Sequence, residues 1–118
     1  MFIEVLKSKI SHATITQAEL HYEGSITIDS VLIKAVGMIP GEKVHVLNEN
    51  TGSRIETYII AGEPDSGVVC LNGPAARYGY VGDRLIILSY ALADAQEAKR
   101  LQPKIVHLDN KNKIKKNK

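Results

Sequence analysis

A mainly β fold, closed into one small barrel with short helices, follows from three features of the sequence. Short stretches alternate apolar and polar residues, turn-forming residues separate them, and one seven-residue pattern occurs twice. Gly41 to Leu47 reads Gly-Glu-Lys-Val-His-Val-Leu, and Gly82 to Leu88 reads Gly-Asp-Arg-Leu-Ile-Ile-Leu, 41 positions later. Each copy is glycine, acid, base, aliphatic, variable, aliphatic, leucine. A glycine before an acid makes a tight turn, and the alternating aliphatics make a half-buried strand. Two related halves closing on each other would leave no exposed sheet edge.

The elements follow in order. Residues 1–6 and 13–16 read as strands, as does 25–29, Ser-Ile-Thr-Ile-Asp. Asp29 then suits a helix N-cap, Val31, Leu32, Ala35 and Val36 share one helical face, and Gly37 ends the helix. Pro40-Gly41 is a turn before the strand 43–47, and Asn50-Thr51-Gly52 a second turn before the strand 54–61. A loop over 62–67 leads to a short strand over 68–71. Pro74 suits the first position of a helical turn over 73–76. A strand over 84–90, a helix over 94–100 and a last strand over 105–108 complete the pattern.

The 118 residues suffice for one domain, taken as 1–110, with 111–118 as a flexible lysine-rich tail. That tail explains the formal net charge of +2, because Lys111, Lys113, Lys115, Lys116 and Lys118 all lie in it. Without them, ten basic side chains face thirteen acidic ones. No basic stripe interleaved with aromatics marks the body as a nucleic-acid binder. No apolar run nears the roughly 20 residues of a membrane helix, and no signal-peptide pattern opens the chain, so a cytoplasmic protein is expected. The single cysteine, Cys70, excludes an internal disulfide and sits in the apolar run 68–71, where a buried, inert thiol is expected.

The usual routes to a cofactor or nucleophile are missing. His12, His21, His45 and His107 lack metal-ligand spacing, and there is no GxGxxG, P-loop or GxSxG. What remains is Leu20-His21-Tyr22-Glu23-Gly24-Ser25-Ile26-Thr27-Ile28-Asp29. By itself Gly-Ser before a strand is a turn. This segment resembles the processing site of the pyruvoyl-dependent aspartate α-decarboxylases. Further matches follow in order: Lys9, Asn50-Thr51-Gly52, Arg54 with Thr57-Tyr58, Asn72-Gly73 with Ala75-Ala76, and Val81-Gly82-Asp83. Each is weak alone, and together they cover roughly residues 1–108.

The resemblance implies a six-stranded double-psi β-barrel, assembled as a homotetramer with sites shared between subunits. It implies that Ser25 attacks the Gly24 carbonyl and that the chain splits into 1–24 and 25–118, with Ser25 converted to a covalent pyruvoyl cofactor. Gly24 lacks a Cβ and can enter a strained turn. Thr57 would serve the oxyanion and Asn72 would position the segment. The pyruvoyl ketone would form a Schiff base with L-aspartate, and the reaction would yield β-alanine and CO2 for pantothenate synthesis. Tyr58 is the implied proton donor, Arg54 and Lys9 the cations for the substrate carboxylates, and Gly73, Pro74 and Ala75 the pocket lining. No metal is implied, and a maturation helper protein is a further partner to consider.

Three points fit less smoothly. Period-two alternation puts Arg54 and Tyr58 on one strand face and Thr57 on the other, which calls for a bulge or an intersubunit site. Relatives often carry histidine where this chain has Ser11, and His12 should point the other way. Many relatives have alanine at position 74, whereas Pro74 has no N–H to donate. Without the resemblance, Arg54 reads as a solvated strand charge and Tyr58 as half-buried packing. The rival reading is a non-enzymatic barrel that binds acidic ligands or nucleic acid through Arg54 and the lysine tail.

Overall fold

The computed structural model describes residues 1–116. Its strands are β1 (Phe2–Thr14), β2 (Gln17–Glu19), β3 (Ser25–Asp29), β4 (Lys43–Asn48), β5 (Arg54–Gly62), β6 (Val69–Asn72), β7 (Arg84–Asp94) and β8 (Lys104–His107). Between them lie α1 (Ser30–Ala35), a 3-10 helix over Gly73–Tyr78, and α2 (Ala95–Arg100). Asp29 caps α1 as expected, its carboxylate accepting from the Val31 N–H at 2.9 Å. The same carboxylate accepts from the Asp65 and Gly67 amides, tying the 62–67 loop to the helix start.

The sheet runs in the order β2-β6-β3-β5-β4-β7-β1-β8. Its two arms meet because β1 and β2 are one strand interrupted only at Ile15-Thr16. There the Ile15 N–H donates to Asp83 O at 2.9 Å, beside β7, and the Thr16 N–H donates to Val69 O at 2.8 Å, in β6. Counting β1–β2 once gives a closed ring of six strands, with β8 laid outside against β1. The fold is therefore mainly β, a small six-stranded double-psi barrel. Ile10, Ile15, Ile26, Ile28, Val44, Ile59, Leu85 and Ile87 fill it, all fully buried. Each such side chain contributes roughly 1.5–3 kcal/mol.

The repeated heptads are the axis of this ring. They pair antiparallel with each other, His45 opposite Leu88, Val46 opposite Ile87 and Leu47 opposite Ile86. Val46 and Ile87 hold the same place in the two copies, so an approximate two-fold runs through that pair. Around it, Gly41 N–H donates to Ile59 O as Gly82 N–H donates to Ile15 O. Each acid caps its own turn in the same way: Glu42 accepts from the Ile39 N–H and Asp83 from the Tyr80 N–H, both at 3.0 Å. Gly41 and Gly82 have φ of 88° and 97°, which only glycine adopts freely.

Two expectations need correction. Residues 2–14 form one long strand, not two, because bulges between Leu6 and Ser8 and between Ser11 and Ala13 shift its alternation. His12, with φ 67°, is the residue left over at the second bulge. The C-terminal residues are also more ordered than a fraying tail. Ile114 bridges back to Leu108, and Asn112 is buried, its side chain bonding both the N–H and the C=O of Thr14 at 2.8 Å. A third bond reaches Gly67 O at 2.8 Å. Residues 117 and 118 of the expected tail lie outside the described residues.

Candidate active site

The site begins where β3 meets β6. Their antiparallel register sets Ser25 opposite Asn72 and Thr27 opposite Cys70, so these four side chains share one face. Ser25 is fully buried. Its hydroxyl donates to Glu23 O at 3.1 Å and accepts from Asn72 Nδ2 at 3.0 Å. Asn72 Nδ2 also donates to Thr27 Oγ1 at 2.9 Å, while Cys70 Sγ donates to Asn72 Oδ1 at 3.2 Å. Every polar atom of the Asn72 amide is thus engaged inside the barrel wall.

Gly73 lets the next turn close over this segment. It sits at φ 63°, and a Cβ there would strike the Tyr22 carbonyl and approach Gly24 N to 2.8 Å. A Cβ on Gly24 would in turn press to 3.3 Å from the Pro74 ring. Pro74 Cδ therefore lies close to Gly24 at the start of the 3-10 helix.

In front of Gly24 opens a cavity of about 680 Å³ lined by Gly24, Arg54, Thr57, Tyr58, Pro74 and Ala75. Ile55, Glu56 and Tyr78 complete the wall, and none of the three was anticipated from sequence. The face conflict between Thr57 and its neighbours resolves without a bulge, for the β4–β5 register is unbroken from Lys43↔Tyr58 to Leu47↔Arg54. Instead, β3 covers β5 only from Ile59 onward. Residues 54–58 keep β4 on one edge and the cavity on the other, so side chains from both faces reach it.

Arg54 is braced by two neighbouring side chains. Its Nε donates to His45 Nδ1 at 3.3 Å and its Nη2 to Tyr90 Oη at 3.1 Å. These bonds occupy one side of the guanidinium and leave its outer N–H groups for a carboxylate. Glu56 is paired with Lys43 at 3.2 Å, and that lysine holds its carboxyl below the ordinary value of 4.5. Lys9 is not at this cavity. It lies on β1 opposite Leu88, which neighbours His45 and then Glu56, three strand spacings away or about 14 Å. Among the described residues, no cluster of three or more His, Cys, Asp or Glu could hold a metal ion.

Comparison with known proteins decides which family this geometry serves. The sequence model of the aspartate decarboxylase family matches residues 1–115. The chain belongs to the aspartate decarboxylase family. An aspartate 1-decarboxylase of Listeria monocytogenes serotype 4a (strain HCC23) is 59% identical over 114 residues, 97% of this chain and 90% of that protein. One from Caldicellulosiruptor bescii is 56% identical over 97% of this chain and 89% of its own length. Membership of the aspartate decarboxylase family makes the chain an enzyme, a carboxy-lyase. Among the described residues, no helix is long and apolar enough to cross a membrane.

Proposed function

We propose that the chain cuts itself between Gly24 and Ser25 and then decarboxylates L-aspartate to β-alanine and CO2 with the pyruvoyl group so formed. The observation that carries this reading is the placement of Ser25. Its Oγ is buried, held by Glu23 O and Asn72 Nδ2, directly behind the glycine that lines the Arg54–Tyr58 cavity. In the first reaction Ser25 Oγ bonds to the Gly24 carbonyl carbon as the peptide C–N bond breaks, giving an ester and a free amine. The Ser25 Cα then loses its proton and the Gly24 carboxylate departs from Cβ. Water replaces the nitrogen, which leaves as ammonia. The Thr57 hydroxyl is our candidate for steadying the tetrahedral oxyanion.

The local donor set suits a small carbonyl group at position 25, because the β3–β6 ladder and Asn72 hold that end of the strand. Such a group supplies an electron sink for loss of the substrate carboxylate. The chain's own residues do the rest. Arg54 binds a substrate carboxylate through its free N–H groups, and Tyr58, at the same cavity, supplies the proton to carbon. Pro74 and Ala75 shape the wall, and Gly73, which does not line it, makes the turn that carries them. Lys9 serves as a second cation from a neighbouring copy, which accords with a homotetramer whose sites are shared. The product would feed pantothenate synthesis.

Intact mass of the purified protein tests the reading. We expect two pieces, 1–24 and 25–118, the larger with a blocked N-terminus. Ser25→Ala should stay in one piece and release no CO2 from aspartate. An uncut wild-type chain, or a Ser25→Ala variant with near wild-type turnover, overturns it and favours a binding barrel.

A further inference from the structure

The buried thiol next to this machinery has a direction as well as a volume. Its chain neighbours Val69 and Leu71 are core side chains, but Cys70 faces the other way, onto the side shared by Thr27, Ser25 and Asn72. Its sulfur lies 3.2 Å from Asn72 Oδ1. An asparagine amide can sit in two orientations that differ by a half-turn, and its neighbours choose between them. In the observed orientation Nδ2 faces two hydroxyls, Ser25 at 3.0 Å and Thr27 at 2.9 Å. The Ser25 hydroxyl hydrogen is directed to Glu23 O, so its oxygen needs a donor from Asn72. The reverse orientation would bring Oδ1 against Ser25 Oγ and draw that hydrogen away from Glu23. It would also leave Nδ2 facing sulfur, a weak acceptor.

We propose that Cys70 is a positioning residue for self-cleavage: its S–H donates to Asn72 Oδ1 and fixes the amide so that Nδ2 holds and polarises Ser25 Oγ. Burial pushes the Cys70 thiol up from its ordinary value of 9.0, so it stays protonated and a donor throughout the physiological range. The proposal rests on the self-cleavage reading and adds a residue that never touches the scissile peptide. As Oγ attacks the Gly24 carbonyl, an N–H already aimed at that oxygen orients its remaining lone pair and steadies the negative charge that grows on it as the proton leaves. A freely turning amide would provide this only part of the time.

Three full-length chains decide the matter: wild type, Cys70→Ala and Cys70→Ser. For each, splitting is followed by intact mass, unfolding temperature is recorded, and β-alanine is measured per pyruvoyl group. We expect Cys70→Ala to split about 3- to 10-fold more slowly, the range for one lost hydrogen bond. Cys70→Ser, which keeps a donor, should split within about twofold of wild type. Turnover per pyruvoyl group should be the same in all three, because the thiol faces Asn72 and not the cavity. Cys70→Ala splitting at the wild-type rate overturns the proposal. So does Cys70→Ser as slow as Cys70→Ala, even where both variants keep the wild-type unfolding temperature. A wild-type chain that never splits fails differently, since it removes the self-cleavage reading itself.

Discussion

Gly73 tests at a single residue how closely two backbones approach. Its left-handed φ alone would cost another residue about 1–2 kcal/mol, and a methyl group would collide with the Tyr22–Gly24 backbone. Gly73→Ala should lower the unfolding temperature and also slow or abolish the appearance of fragment 1–24, since relief requires pushing Gly24 away. Splitting at the wild-type rate would show that the close approach is not needed for cleavage. Tyr58 makes the complementary case. Tyr58→Phe keeps the ring and removes only the hydroxyl, so splitting should proceed while β-alanine formation per pyruvoyl group falls about 10²–10⁴-fold. A fully split variant within about threefold of wild type would mean that another group or a water delivers the proton. That Gly24, Arg54, Thr57, Tyr58 and Ala75 line one cavity was legible as a grouping, because they stand in short motifs that resemble the family's. His45 and Tyr90 were not, because only the β4–β5 and β4–β7 registers bring them to Arg54. Cys70 was read as inert packing because its apolar neighbours say nothing of the asparagine across from its sulfur.

At the scale of elements, the two Gly-acid turns explain why an acid follows glycine in each repeat. The Asp83 carboxylate accepts from the Tyr80 N–H and from Asn48 Nδ2, each at 3.0 Å. The Tyr80 amide, first, and Asn48 hold its carboxyl below the ordinary 3.8. A lowered pKa in the folded chain means that the unfolded chain takes the proton first as the solution is acidified. The stabilisation is therefore present above about pH 4 and is lost as pH falls through the folded-state value. Asp83→Asn keeps an acceptor but no charge. It should be less stable than wild type at neutral pH, and the gap should close as acid unfolding is followed downward from pH 4. A gap that stays constant would deny the carboxylate this role. Strand β1 shows where pattern reading fails at this scale. Each bulge shifts the alternation by one residue, so the polar run Lys7-Ser8-Lys9 looks like a break in what is one continuous strand.

The whole molecule shows what the heptad repeat could and could not announce. Two similar strands 41 residues apart signalled related halves, and the halves do pair about Val46 and Ile87. A closed barrel was expected, but the way it closes was illegible, because that depends on Ile15-Thr16 bonding to Asp83 beside β7 on one side and to Val69 of β6 on the other. The clasp at Asn112 was hidden as well, inside a segment whose lysines suggested only solvent. That closing strand also has a consequence for the molecule's history. A cut after Gly24 leaves β1 and β2 on a separate peptide, gripped by β7, β8 and β6 with no covalent link to any of them. The uncut chain assembles as one body, at a rate independent of its concentration. The split protein, once unfolded, would have to find its lost strand by diffusion, and a dilute solution would make that search slower. Its unfolding midpoint should therefore rise with concentration, whereas the uncut Ser25→Ala subunit should show a smaller dependence, limited to subunit association. Equal dependence in both would show that the short piece never leaves. On the proposed self-cleavage, maturation would be irreversible in a second sense: the cut that equips the enzyme would also remove its ability to refold as a single chain.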